Sequence, residues 1–197
     1  MERKEQLVGA LRKIFWAYIF LYFDINIASI DILPAWVAYL FFYQAIKNGL
    51  ILEEESIRLL KPICIILVIV RFWDWIVVMF SIEMNILLIS ELFAVIQLYF
   101  HFQLLTNLAN IAHKYDCPQE SSLLTFRTIH TVLLTVLAFT LQFPKIEGLS
   151  FIILLVQVII LVCICVVINQ FRKTVEELPE STFFVQCTLV NDVTPKS

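Results

Sequence analysis

Residues 150–171 read SFIILLVQVIILVCICVVINQF, 22 positions without a charged side chain. About 20 mostly apolar residues cross a bilayer as a helix, so this run is long enough to be a membrane span. Stretches 62–80, 84–105 and 123–143 meet the same length and character. The whole chain agrees with them. Of its 197 residues 60% are hydrophobic, 14% aromatic and 16% charged, and the mean hydropathy is +0.87. Soluble domains are about 45–50% apolar and about 25% charged, so there is too little polar surface here to coat one. Few Gly and Pro exclude a collagen-like or disordered chain. A net charge of −3 and a pI near 5.6 offer no basic face for nucleic acid.

Residues 14–46 are harder to divide. As one helix these 33 residues would measure roughly 50 Å, too long for one crossing and short for two. Asp24, Asn26, Ser29, Asp31 and Pro34 cluster in the middle. Proline removes a helical hydrogen bond and disfavours helix just before it. The region therefore reads as a helix ending near Asp24, a polar elbow, and a second helix starting at Pro34 with Asp31 as a capping residue. The basic start (Arg3, Lys4, Arg12, Lys13) precedes a bulky aromatic run with no small-x-small cleavage site, so a retained first segment is expected.

Loop charge supports this division. Lys and Arg collect on the cytoplasmic side of short loops. The N-terminus, the connection with Lys47, Arg58 and Lys61, the connection with Lys114 and Arg127, and the C-terminal side with Arg172 and Lys173 are basic. The turns between them carry only Lys145. The expected fold is an all-α polytopic membrane helix bundle, with about six transmembrane segments in three antiparallel hairpins. The first hairpin is short or re-entrant, and both termini are cytoplasmic. Residues 1–173 form the bundle and 174–197 a polar cytoplasmic tail, whose patch 182–190 is expected to be disordered or docked on the bundle.

The elbow strings Phe23-Asp24-Ile25-Asn26-Ile27, Ile30-Asp31-Ile32-Leu33-Pro34 and Trp36-Val37-Ala38-Tyr39 resemble a pattern in small, uncharacterised multi-pass membrane proteins of Gram-positive bacteria. The resemblance implies a bacterial plasma membrane and a similar helix–elbow–helix start, and no reaction.

Ionisable groups inside a span cost roughly 2.5–3.5 kcal/mol each on insertion scales, which singles out Arg71, Asp74 and Glu91. Arg71 and Asp74 are three apart and share a helix face. Asp74 and Glu91 fall about 10 Å from the same outer edge of an antiparallel hairpin. One buried cluster of two acids and a base is expected. It is either a structural ion pair or, through the surplus carboxyl, the site of a small proton-coupled carrier. A second polar group, Gln97, His101, Arg127 and His130 with Thr128, Thr131 and Thr135, lies on inner faces. It reads as inter-helix packing or as a polar path.

Glu53-Glu54-x-x-x-Arg58 and Phe126-x-x-x-His130 resemble the first two motifs of the CAAX-type intramembrane metalloproteases. That resemblance implies catalytic Glu53 and Glu54 and a metal-ligating His130, although no histidine follows His130. HExxH, GxSxG and phosphate-binding loops are absent. Cys64, Cys117, Cys163, Cys165 and Cys187 form no CxxC pair and read as free thiols. No metal or cofactor is expected. The expected function is a non-enzymatic membrane component of regulatory, assembly or immunity type. Its expected partners are the lipid bilayer and a second copy or another membrane protein.

Overall fold

The computed structural model describes residues 2–22, 26–27, 30–31, 35–80, 87–141 and 147–183. Six α-helices carry these residues: α1 (Glu2–Tyr22), α2 (Ala35–Asn48), α3 (Leu60–Met79), α4 (Leu87–Lys114), α5 (Glu120–Leu141) and α6 (Glu147–Glu177). Two short 3-10 turns, Leu50–Leu52 and Glu55–Leu59, join α2 to α3. The elbow contributes a two-residue antiparallel pairing, Asn26 with Asp31 and Ile27 with Ile30. It lies between the end of α1 at Tyr22 and the start of α2 at Ala35. Asp24 and Pro34 lie outside the described residues.

Each helix packs on its neighbours in sequence, and α6 closes on α1. The core they enclose is aromatic at its centre. Tyr18 meets Phe42 edge-on at 5.2 Å, and Phe42 meets Phe100 at 5.3 Å. Leu7, Leu11 and Ile14 of α1 and Ile164, Ile168 and Phe171 of α6 extend this core toward the start of α1 and the end of α6.

Among the described residues two helices hold stretches, Leu92–Lys114 and Leu155–Glu177, that are long and apolar enough to cross a membrane, with 39% of the apolar window of each buried in the chain. Helices run further than hydropathy indicates. α1 starts well before the apolar run at 14, α4 continues past 105, and α6 extends to Glu177. Hydropathy marks the apolar part of a helix, while these polar extensions are held by packing on one another.

Local chemistry sets the ends. Pro62 sits in the first turn of α3, where a missing N–H costs no helical bond. Pro179 follows the end of α6. α4 stops at Asp116, whose φ of 50° is left-handed. The Cys117 N–H then reaches back to the Ala112 carbonyl at 2.8 Å, and the Asp116 N–H to His113 at 3.0 Å. Gly49 ends α2 against α1. A Cβ there would lie 2.5 Å from the Gln6 carbonyl oxygen and 2.7 Å from Ala10 Cβ.

Two substitutions test these ends by thermal unfolding in detergent. Gly49→Ala forces α1 and α2 apart and is expected to cost about 1–3 kcal/mol, the usual range for overpacking. Asp116→Gly relieves a left-handed residue of its Cβ and is expected to add roughly 0.5–1 kcal/mol. An unchanged melting temperature in either variant contradicts the corresponding account.

Candidate functional site

At the end of the bundle where α1 starts and α6 ends, Glu53 sits between the two 3-10 turns with its carboxylate fully buried. Arg3, in the first turn of α1, donates from Nε to Glu53 Oε1 at 2.7 Å and from Nη2 to Oε2 at 3.2 Å. Lys114 Nζ, at the end of α4, donates to Oε2 at 2.9 Å, and the Tyr115 hydroxyl donates to the same oxygen at 2.7 Å. The backbone joins in, because Arg3 Nη2 also bonds the Leu52 carbonyl and Lys114 Nζ the Glu53 carbonyl. Neighbouring contacts tie in α6. Lys4 Nζ bonds the Leu178 carbonyl at 2.6 Å, and the Phe183 ring lies 4.7 Å from that of Tyr115. Arg3, Glu53 and Lys114 also line a cleft of about 570 Å³ with Glu54, Arg58 and Lys61.

Burial alone would raise the Glu53 pKa. The bonds from Arg3, Tyr115 and Lys114 outweigh it and hold the carboxyl below its ordinary 4.5. A carboxylate whose two oxygens take four donated bonds acts as a lock between chain segments. Beside it, Ser56 Oγ links Glu54 Oε1 to Asn107 Oδ1, both at 2.9 Å. Burial, with Asp116 adding to it, pushes the nearby Cys117 thiol up to about 11, so little nucleophilic thiolate forms there at neutral pH.

The other expected groups lie further along the bundle. His130 packs edge-on against His101 at 5.7 Å. His101 lies 13 residues before Lys114, roughly 20 Å along α4. Glu53 and His130, paired by the protease resemblance, are thus not brought together. Tyr18 OH lies 3.3 Å from His101 Nδ1, and Gln157 Nε2 lies 2.6 Å from His130 Nδ1, so α1, α4, α5 and α6 meet at one buried polar node. Gln97 accepts a bond from Arg71. Arg127 donates to Thr106 Oγ1 at 3.2 Å and covers the Phe102 ring at 4.7 Å. Thr128, Thr131 and Thr135 each bond the carbonyl four residues back on their own helix, which removes those hydroxyl protons from any polar path.

Arg71 and Asp74 pair at 3.3 Å, with side chains 34% and 53% exposed at the surface of the chain. α3 and α4 pack more sparsely than the other neighbouring helices, leaving the carboxylate uncovered. Glu91 belongs to α4, and its side chain lies outside the described residues.

The chain matches no protein-family model, no curated protein and no solved structure. Among the described residues no three His, Cys, Asp or Glu side chains group as a metal site. Cys64, Cys117, Cys163 and Cys165 are free thiols.

Sequence reading missed the role of Arg3, Lys114 and Tyr115, and missed Tyr18 and Gln157 altogether. A signal existed for Gln157, a lone amide amid aliphatic residues. Tyr18 had none.

The sign of the Glu53 shift fixes its pH dependence. A lowered carboxyl pKa contributes stability above about pH 4.5, and that contribution is lost as the pH falls through the folded value. The melting temperature of the parent is expected to drop on acidification below that point. Glu53→Ala should cost about 3–5 kcal/mol at pH 7, because it removes the buried carboxylate that two partly buried cations bond, and should flatten the acid response. Tyr115→Phe should cost about 1–2 kcal/mol. Equal acid sensitivity in Glu53→Ala and parent contradicts the assignment.

Proposed function

We propose that the chain is a multi-pass protein of a bacterial plasma membrane, with six spans, both termini cytoplasmic and a non-enzymatic role as a regulatory, assembly or immunity component. One observation carries the reading. Large apolar side chains such as Ile65, Ile69, Phe72, Val95, Val132 and Ile159 point outward along four successive helices. In water so much outward apolar surface would drive association; in a bilayer it is the contact with acyl chains. The helical fold suits that setting, since each backbone N–H and C=O in lipid needs a partner within its own segment. The Glu53 lock and the ordered ends of α1, α4 and α6 suit a cytoplasmic cap, on the side to which loop Lys and Arg assign them. A saturated carboxylate and a neutral polar node held by side-chain hydrogen bonds favour a structural or binding role over turnover.

Single cysteines in a variant otherwise lacking cysteine test the topology. Asn85→Cys is expected to react with a membrane-impermeant maleimide on intact cells, and Lys173→Cys only after permeabilisation. Labelling of Asn85→Cys solely from the cytoplasmic side overturns the arrangement.

A further inference from the structure

The α2–α3 connection brings two acids and two bases to one cleft and pairs none of them with each other. Glu54, Glu55, Arg58 and Lys61 line the same space of about 570 Å³. None of the four forms an ion pair with a described residue. The wall behind them is already settled. There Arg3 and Lys114 both bond the Glu53 carboxylate.

The cleft has an apolar approach. Leu59, Pro62, Ile66, Ile69 and Trp73 recur every three or four residues, so they lie along one side of α3 and the turn before it. All five are exposed, Leu59 at 66% and Ile69 at 62%. Leu52, at the lip of the cleft, is 52% exposed. An uncovered aliphatic track therefore runs along α3 and ends beside Arg58 and Lys61.

We propose that this cleft holds the headgroup of an ethanolamine phospholipid of the cytoplasmic leaflet. Its phosphate faces Arg58 and Lys61, its ammonium faces Glu54 and Glu55, and its acyl chains follow the exposed side of α3. The proposal rests on the membrane reading above. The chemistry discriminates among headgroups. A phosphate needs N–H donors, which Arg and Lys supply. A primary ammonium gives three N–H donors to two carboxylates. A choline headgroup has no such donor, and a glycerol headgroup brings a negative charge with no cation to match Glu54 and Glu55.

Native mass spectrometry of the full chain, released from mild detergent with equimolar dioleoyl phosphatidylethanolamine, phosphatidylcholine and phosphatidylglycerol, tests the site. The ethanolamine lipid is expected to be retained about tenfold over each of the others, the worth of one charge-assisted hydrogen bond. Arg58→Gln with Lys61→Gln should abolish retention of all three. Glu54→Gln with Glu55→Gln should reverse the preference over phosphatidylglycerol. These rim side chains carry no ion pair, so the variants are expected to melt like the parent. Equal retention of the three lipids, a preference for the glycerol headgroup, or a preference that survives in the Arg58/Lys61 variant overturns the proposal. Soluble phosphoethanolamine is expected to compete only weakly; displacement of the lipid at equal concentration overturns the part assigned to the acyl chains. Failure of the membrane reading shows itself separately, as release of the chain from membranes by alkaline carbonate.

Discussion

A carboxylate removed from water must be matched by donors, and in this chain that requirement at Glu53 gathers the end of the bundle where α1 starts and α4 ends. Desolvating a carboxylate costs several kcal/mol even after relaxation. Two cations and a phenol offset that cost, and each comes from a different part of the chain: the start of α1, the end of α4 and the turn that follows it. Satisfying one side chain thus fixes the relative positions of three elements. The Leu52 and Glu53 carbonyls are bound by the same cations, so the short connection between α2 and α3 is held along its backbone as well as by its side chain.

Away from that end, packing and neutral hydrogen bonds take over. Tyr18, Tyr39, Phe42 and Phe100 interlock edge to face around His101, an arrangement that favours perpendicular rings over flat stacks. The two histidines and Gln157 add direction to this contact surface. Neutral donors and acceptors between helices fix rotation at modest gain, where a charge in the same place would need a counter-ion. The uncovered Asp74 is the exception, and it falls where helix–helix packing is thinnest.

Much of the architecture was legible in the sequence. Pro34 with Asp24, Asn26 and Asp31 located the elbow, because proline and short polar side chains oppose continuous helix. The polar extensions of α1, α4 and α6 were not legible, since hydropathy is blind to helix stabilised by packing on its neighbours. Glu53 was visible only as part of a charged loop. Its partners are 50, 61 and 62 residues away, a separation no local pattern encodes. Arg71 and Asp74 were placed correctly on one face, yet their exposure depends on how closely α4 approaches, which periodicity does not specify. His101 and His130 were both read as inner-face residues, and their direct contact required the crossing of α4 and α5.

The closure of α6 on α1 has a consequence for synthesis. Lys4 meets the Leu178 carbonyl across 174 positions of sequence, so one flank of the first helix has no partner until nearly the whole chain has left the ribosome. Contacts of such long separation form late. During elongation that flank of α1 stays open while α2 already covers another. The order in which this bundle is made thus leaves its first helix half-packed until its last helix arrives.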